Sequence, residues 1–259
     1  MSFGQDKESH EVGFILGLSA FSTDYGERYE FQSSGAGNTG FGIGAVYYLN
    51  FTDYRYRWNQ RTTYFSEHAR LRLELSYLKA KLDHYGKYAE KDSYYGEQLR
   101  AMHGVSNVLN AGAQMEFHWV DIVDFGSRRL PDIKWSPFIS LGLWLNYYDA
   151  KLTSDLGDWE EDPSVLFPKW AEPGATRVKP GITSSLSWSV GTRYAIGEYA
   201  DLFIESRWRY YFSNWVEGLN PQEEFNEQSL GIGNGVPVPE NKANDWIFWL
   251  NIGYIYYLD

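Results

Sequence analysis

The chain has 259 residues, no cysteine and a formal net charge of -11. Without cysteine there are no disulfides and no thiolate metal sites, and the acidic balance argues against a nucleic-acid partner. Mean hydropathy is -0.47, and no run approaches the roughly 18 consecutive apolar residues of a membrane-spanning helix, so a helix bundle in a membrane is excluded.

Met1 to Lys7 lacks the apolar core of an export signal, and a mature form with an added start residue is expected. Eight segments then alternate between apolar and polar or tiny residues. The first spans 11–21, with Val12, Phe14, Leu16 and Leu18 on one face and Glu11, Gly13, Gly17 and Ser19 on the other. The second spans 38–51, with Phe41, Ile43 and Tyr47 alternating with glycines, Val46 and Tyr48. The third, 68–82, sets Leu71, Leu73, Leu75 and Tyr77 against Arg70, Arg72, Glu74 and Ser76, and its phase flips near Leu78. A flip predicts a β-bulge or the exit from a membrane. The fourth spans 100–120, with Glu116 and His118 on its polar face, and the fifth spans 136–148. The sixth, 183–196, carries Arg193 among serines; the seventh, 200–212, carries Glu205, Arg207 and Arg209; the eighth spans 245–259. No Pro/Ser/Gly-rich linker divides the chain, which predicts one domain over residues 1–259.

Segments of about 10 residues suffice to cross a bilayer as tilted strands. An even count keeps both termini on the periplasmic side. The connection at Gly197-Glu198-Tyr199 is short, as a periplasmic turn should be, and those over 149–182 and 213–244 are long. The prediction is all-β: an eight-stranded antiparallel up-and-down transmembrane β-barrel with long extracellular loops, in the bacterial outer membrane. Alternation alone leaves open whether the apolar face meets lipid or a soluble core. Crowding decides: an eight-stranded interior is barely wide enough for ordinary side chains and could not hold so many Trp, Tyr, Phe and Leu. The four extracellular connections between the segments carry all the net negative charge.

The polar faces then point inward. Arg70, Arg72, Glu74, Glu116, His118, Arg193, Glu205, Arg207 and Arg209 are expected to form an interior ion-pair network, because an unpaired buried charge costs several kcal/mol. That filling predicts a closed barrel rather than a wide pore. No cofactor is expected. A lipid-facing Ser/His pair, as a lipid-modifying enzyme would need, is not evident among His10, His68, His84, His103 and His118. Asp155, Asp158, Glu160, Glu161 and Asp162 are weak candidates for a calcium site and read better as a solvated loop, since no EF-hand pattern is present. Two periplasmic connections, 52–67 and 121–136, are longer than turns require. The first holds Tyr54, Arg55, Tyr56, Arg57 and Trp58, a mixture suited to phospholipid headgroups or to a protein partner.

Several stretches resemble an uncharacterised family of small outer-membrane barrels in the Bacteroidota: His10-Glu11-Val12-Gly13-Phe14 followed by Asp24-Tyr25-Gly26-Glu27-Arg28, the run Gly37-Asn38-Thr39-Gly40-Phe41-Gly42-Ile43-Gly44, the block 201–212, and Gly218-Leu219-Asn220-Pro221 before Asn244-Asp245-Trp246. That family is distantly similar to the PorG-like barrels of the type IX secretion and gliding apparatus, mainly through the first strand and the overall plan. The chain ends Tyr256-Tyr257-Leu258-Asp259 rather than on the terminal aromatic of proteobacterial barrels, with Tyr256 and Leu258 keeping the register. The resemblance implies no catalytic residues. The expected function is a non-enzymatic scaffold or accessory subunit of an envelope complex, with outer-membrane lipid around it and a protein partner. The alternatives are a narrow channel or ligand-binding barrel, and a lipid-modifying enzyme.

Overall fold

The computed structural model describes residues 9–25, 37–51, 63–122, 124–125, 133–197, 199–220 and 245–258. Eight strands form a closed antiparallel barrel in which every strand pairs with its sequence neighbours and the last pairs with the first. They are β1 (Ser9–Ser22), β2 (Thr39–Asn50), β3 (Ala69–Asp83), β4 (Met102–His118), β5 (Trp135–Ser154), β6 (Gly181–Ala195), β7 (Ala200–Tyr211) and β8 (Trp246–Leu258). Short helices α1 (Tyr64–His68), α2 (Tyr94–Ala101) and α3 (Pro168–Ala171) lie in the connections. Closure satisfies the backbone ladder without leaving an edge, which a lipid environment demands.

The seam between β1 and β8 is tight. A methyl group on Gly17 would stand 2.0 Å from the Leu250 carbonyl oxygen. Gly17→Ala is expected to cost about 1–3 kcal/mol through overpacking, seen as loss of the heat-modifiable folded band on a gel. Wild-type mobility in that variant would show the seam to be slack.

The alternating faces sort by exposure. Leu18 (67%), Leu143 (66%) and Ile182 (69%) point outward, whereas Arg70, Arg72, Glu116, Arg193 and Glu205 are fully buried. Water would penalise both halves of that arrangement, whereas a bilayer favours apolar groups outside and charges within. Outward aromatics frame the belt, with Trp119, Trp135 and Tyr256 near the periplasmic end and Tyr77, Tyr147 and Trp246 near the other. From Trp135 to Tyr147 along β5 the tilted strand rises roughly 30 Å, the thickness of the hydrocarbon layer. The chain is a membrane-spanning barrel of the outer-membrane type.

The phase flip near Leu78 is an exit from the membrane and not a bulge. Strand β3 runs unbroken through it, pairing residue by residue with β4 as far as Asp83↔His103. Tyr77, Lys79 and Lys81 face outward and Leu78, Ala80 and Leu82 face inward, all in one alternation. What changes is the surroundings. Above the girdle the outside is water, so polar residues move there, and the inside becomes an apolar core. Strand β5 does the same and extends to Ser154, beyond the predicted end at 148, with Tyr148, Ala150 and Leu152 buried. Strands β3, β4 and β5 therefore stand as a tall wall on one side of the barrel.

Candidate functional site

The strands deliver the inward charges in tiers. In the central tier, Glu205 receives hydrogen bonds from Arg207 (2.8 Å), Arg72 (3.1 Å), Gln114 (2.9 Å), Ser189 (2.5 Å) and Asn251 (3.3 Å). Glu74 takes two from Arg207 (2.8 and 2.9 Å) and one from Arg72 (2.5 Å). Two guanidinium groups and two carboxylates thus bridge β3 and β7, four strands apart across the lumen. Charge-assisted bonds of this kind are the strong ones. In the periplasmic tier, Arg70 donates to Glu11 at 2.7 Å, and Arg193 donates to Glu11 at 2.7 Å and to Glu116 at 3.3 Å. Arg193 also lies 4.1 Å from the centre of the Tyr48 ring, and Asp201 stands 3.6 Å from it. Arg72 joins the tiers by a 3.2 Å bond to Glu116.

His118 lies at the periplasmic end of this network, with Nδ1 2.9 Å from Ser136 Oγ and Nε2 3.4 Å from Glu116. A Ser–His–Glu series suggests acyl chemistry. Here all three groups face the lumen and are buried, the ring is covered by Phe138 at 5.3 Å, and Glu116 is committed to two arginines. The arrangement fixes the strand ends and presents no nucleophile to lipid. The other histidines are placed individually: His10 meets the Tyr47 hydroxyl at 2.6 Å, His68 meets the Tyr64 carbonyl at 3.1 Å, and His103 lies between Asp83 (2.5 Å) and Asp155 (3.2 Å).

Arg209 is on the same face and behaves differently. It is buried, stacks 4.1 Å above the Trp144 ring and neighbours Tyr211, but among the described residues none of its three nitrogens has a hydrogen-bond acceptor in good geometry. Its tier holds Ser185, Ser187 and Asn110 instead of a carboxylate.

Above it the loops cross the mouth. Tyr25, just after β1, reaches the inner face of β4, where a side chain on Gly104 would strike its ring. From the far side, Val216 accepts a 2.6 Å bond from Ser106 of β4 through its carbonyl. Arg177 N–H donates to Gly218 at 2.8 Å and Asn220 N–H to Ala175 at 2.9 Å, tying the β5–β6 connection to the β7–β8 connection. Gly218, at φ +86°, supplies the left-handed turn this needs. Trp170, Leu166, Val216, Leu219 and His84 complete an apolar cap core. Burial pulls the His84 imidazole down to about 3, so it sits there neutral. Three carboxyl groups lie beneath the cap: Asp24, Glu217 and Asp245. Asp24 N–H donates to Glu217 at 2.6 Å and Val216 N–H to Asp245 at 3.3 Å.

Arg70, Arg72, Glu74, Glu116, His118, Arg193, Glu205 and Arg207 thus meet in one lumen, with Arg209 a tier above them. Glu11, Asp201, Gln114 and Asn251 belong to the same set and were not among the predicted network residues, although a strict two-residue period places each on an inward face. Tyr54, Arg55, Tyr56, Arg57 and Trp58 lie outside the described residues. The acids of the β5–β6 connection are not gathered. Asp158 accepts from Glu160 N–H, Asp162 accepts from Ser164 N–H, and Asp155 contacts His103. Among the described residues no three potential ligands, Asp155, Asp158, Glu160, Glu161 and Asp162 included, come together to hold a metal ion, and Asp158 and Asp162 cap local turns instead.

No family model matches the chain, and no curated protein does. Solved outer-membrane proteins share its outline. A major outer membrane protein from Thermus thermophilus is 11% identical with a TM-score of 0.44, over 97% of this chain and 99% of that one. Neisserial surface protein A is 12% identical with a TM-score of 0.43, over 95% and 96%. Ail of Yersinia pestis is 9% identical with a TM-score of 0.43, over 96% and 99%. Likeness at this distance carries no function across.

Proposed function

We propose that this protein is a closed outer-membrane barrel that works as a scaffold or accessory subunit of an envelope complex, not as a pore or an enzyme. The observation behind this reading is the double obstruction: charge pairs span the lumen, and ordered loops bridge the mouth. A barrel obstructed in this way offers its rims to a partner and not its interior. The periplasmic rim suits that role, with Tyr64 77% exposed beside Phe65 and following the aromatic-rich 52–62 stretch in sequence. The family resemblance supports a partner from a secretion or gliding complex of the type IX kind.

Two measurements test this together. In planar bilayers the purified barrel is expected to give no stable open-channel current, and from native membranes it is expected to co-purify with a protein after crosslinking. Large steady conductance would reject the closed barrel, and persistent isolation as a lone chain would reject the scaffold. Arg209 favours a second reading, a narrow barrel that holds a small anion inside, because a buried guanidinium with no carboxylate in ion-pair contact among the described residues is a costly group to keep.

A further inference from the structure

The tall wall of β3–β5 carries a basic patch on a molecule whose outer end is otherwise acidic. Strand register fixes its layout. The outward row Tyr77–Leu109–Tyr147 closes the apolar belt. The next outward row is Lys79–Asn107–Asp149, and the row above it is Lys81–Val105–Lys151. Lys79, Lys81 and Lys151 are exposed. By strand geometry Lys79 and Lys81 are about 7 Å apart at their Cα atoms, and Lys81 and Lys151 about 10 Å apart across β4. A lysine side chain spans most of those gaps, so three ammonium groups can converge on one tetrahedral oxyanion.

Neighbouring acids are not ion-paired with the patch among the described residues. Asp83 and Asp155 are both turned to His103, at 2.5 and 3.2 Å. Asp149 lies two residues below Lys151 on the same outward face of β5, and Asp83 two residues above Lys81 on β3, each about 7 Å away at the Cα atoms; among the described residues none of the three lysines has a carboxylate within 4.0 Å. Asn107 is held by the Tyr77 hydroxyl, which donates to its Oδ1 at 2.8 Å. Depth matters as much as charge. Two and four residues beyond the girdle correspond to roughly 5 and 10 Å above the hydrocarbon edge, the level of lipid headgroups. The other strands end at or near their girdle residues, so this is where the barrel wall itself passes through the headgroup layer.

We propose that Lys79, Lys81 and Lys151 form a site for the phosphorylated headgroup of an outer-leaflet lipid, whose acyl chains lie against Leu75, Leu109 and Leu145 below. Basic clusters at this depth attract anionic headgroups at about a threefold to tenfold gain per residue. The inference rests on the membrane placement of the belt and is independent of the scaffold reading. Free phosphate offers the same charge without chains, so the test must separate the two.

Native mass spectrometry of the detergent-solubilised full chain counts bound lipid directly, with three probes: diphosphorylated lipid A, its dephosphorylated form, and inorganic phosphate. The diphosphorylated lipid is expected to bind one or more per barrel, and the dephosphorylated lipid far less. Changing all three lysines (Lys79→Gln, Lys81→Gln, Lys151→Gln) should weaken retention roughly a hundredfold. Arginine at the same positions should preserve retention, and Lys134→Gln at the opposite rim should leave it unchanged. These are surface positions, and the heat-modifiable band checks folding of each variant. Equal retention of both lipids, or unchanged retention in the triple variant, would overturn the proposal. So would full competition by inorganic phosphate, which would mark a free-anion site instead.

Discussion

Glu205→Ala is expected to lower barrel stability by about 3–5 kcal/mol, the cost of breaking a buried charge pair from one side. The magnitude follows from what remains. Arg207 keeps Glu74 and Arg72 keeps Glu74 and Glu116, but two buried cations then share fewer acids, and Gln114, Ser189 and Asn251 lose their acceptor. Urea titration of the barrel folded into vesicles measures the loss. The double variant Glu205→Ala with Arg207→Ala should lose less than the sum of the two single changes, because the second substitution removes one of the two cations that the first left short of acids. Strict additivity in that cycle would mean that the lumen is wet enough to solvate each charge separately.

The second large effect concerns the cap. Glu217 is pushed well above the ordinary carboxyl range, first by burial and then by the charges of Asp245 and Asp24. Tyr25 faces the same group and is itself raised, chiefly by burial. The sign follows from linkage. With the cap closed the neutral acid is favoured, whereas with the cap open Glu217 titrates near its ordinary 4.5. Cap closure is therefore strongest below that value and weakens as pH rises toward the closed-state pKa, with opening growing about tenfold per pH unit in that window. Glu217→Gln cannot ionise and should flatten the dependence while still accepting from Asp24 N–H. The absence of native cysteine makes the measurement simple. Val216→Cys, at a fully buried position, is labelled only when the cap opens, and its rate is normalised to an exposed cysteine at the same pH. A normalised rate independent of pH in the otherwise wild-type background would refute the linkage.

Both effects depend on contacts that sequence reading reaches unequally. The inward face of Arg70-Leu71-Arg72-Leu73-Glu74 is legible because strand side chains alternate sides whatever the partner. That Glu74 takes Arg207 rather than Arg193 is not legible. It depends on the stagger of β3 relative to β7 across the lumen, a property of the whole closed barrel. The histidine of strand four was legible as an inward group, yet its neighbour Ser136 comes from the next strand through a long connection. The cap was hidden more deeply. Residues such as Trp170, Val216 and Glu217 sit in connections without periodicity, and the long 149–182 and 213–244 stretches read as solvated acidic loops.

The sequence by itself determined that the chain is an eight-stranded barrel with apolar residues toward lipid and charges within, because two-residue alternation over membrane-crossing length is a local signal repeated eight times. It also carried the flip at Leu78 without saying what the flip meant. Only the tertiary structure decided that β3, β4 and β5 leave the membrane as a continuous wall, with lysines facing out and a capped apolar core facing in. The physical reason is that alternation records which side a residue takes, whereas its surroundings are set by how far along the barrel axis it has risen and by what crosses the mouth from the opposite side.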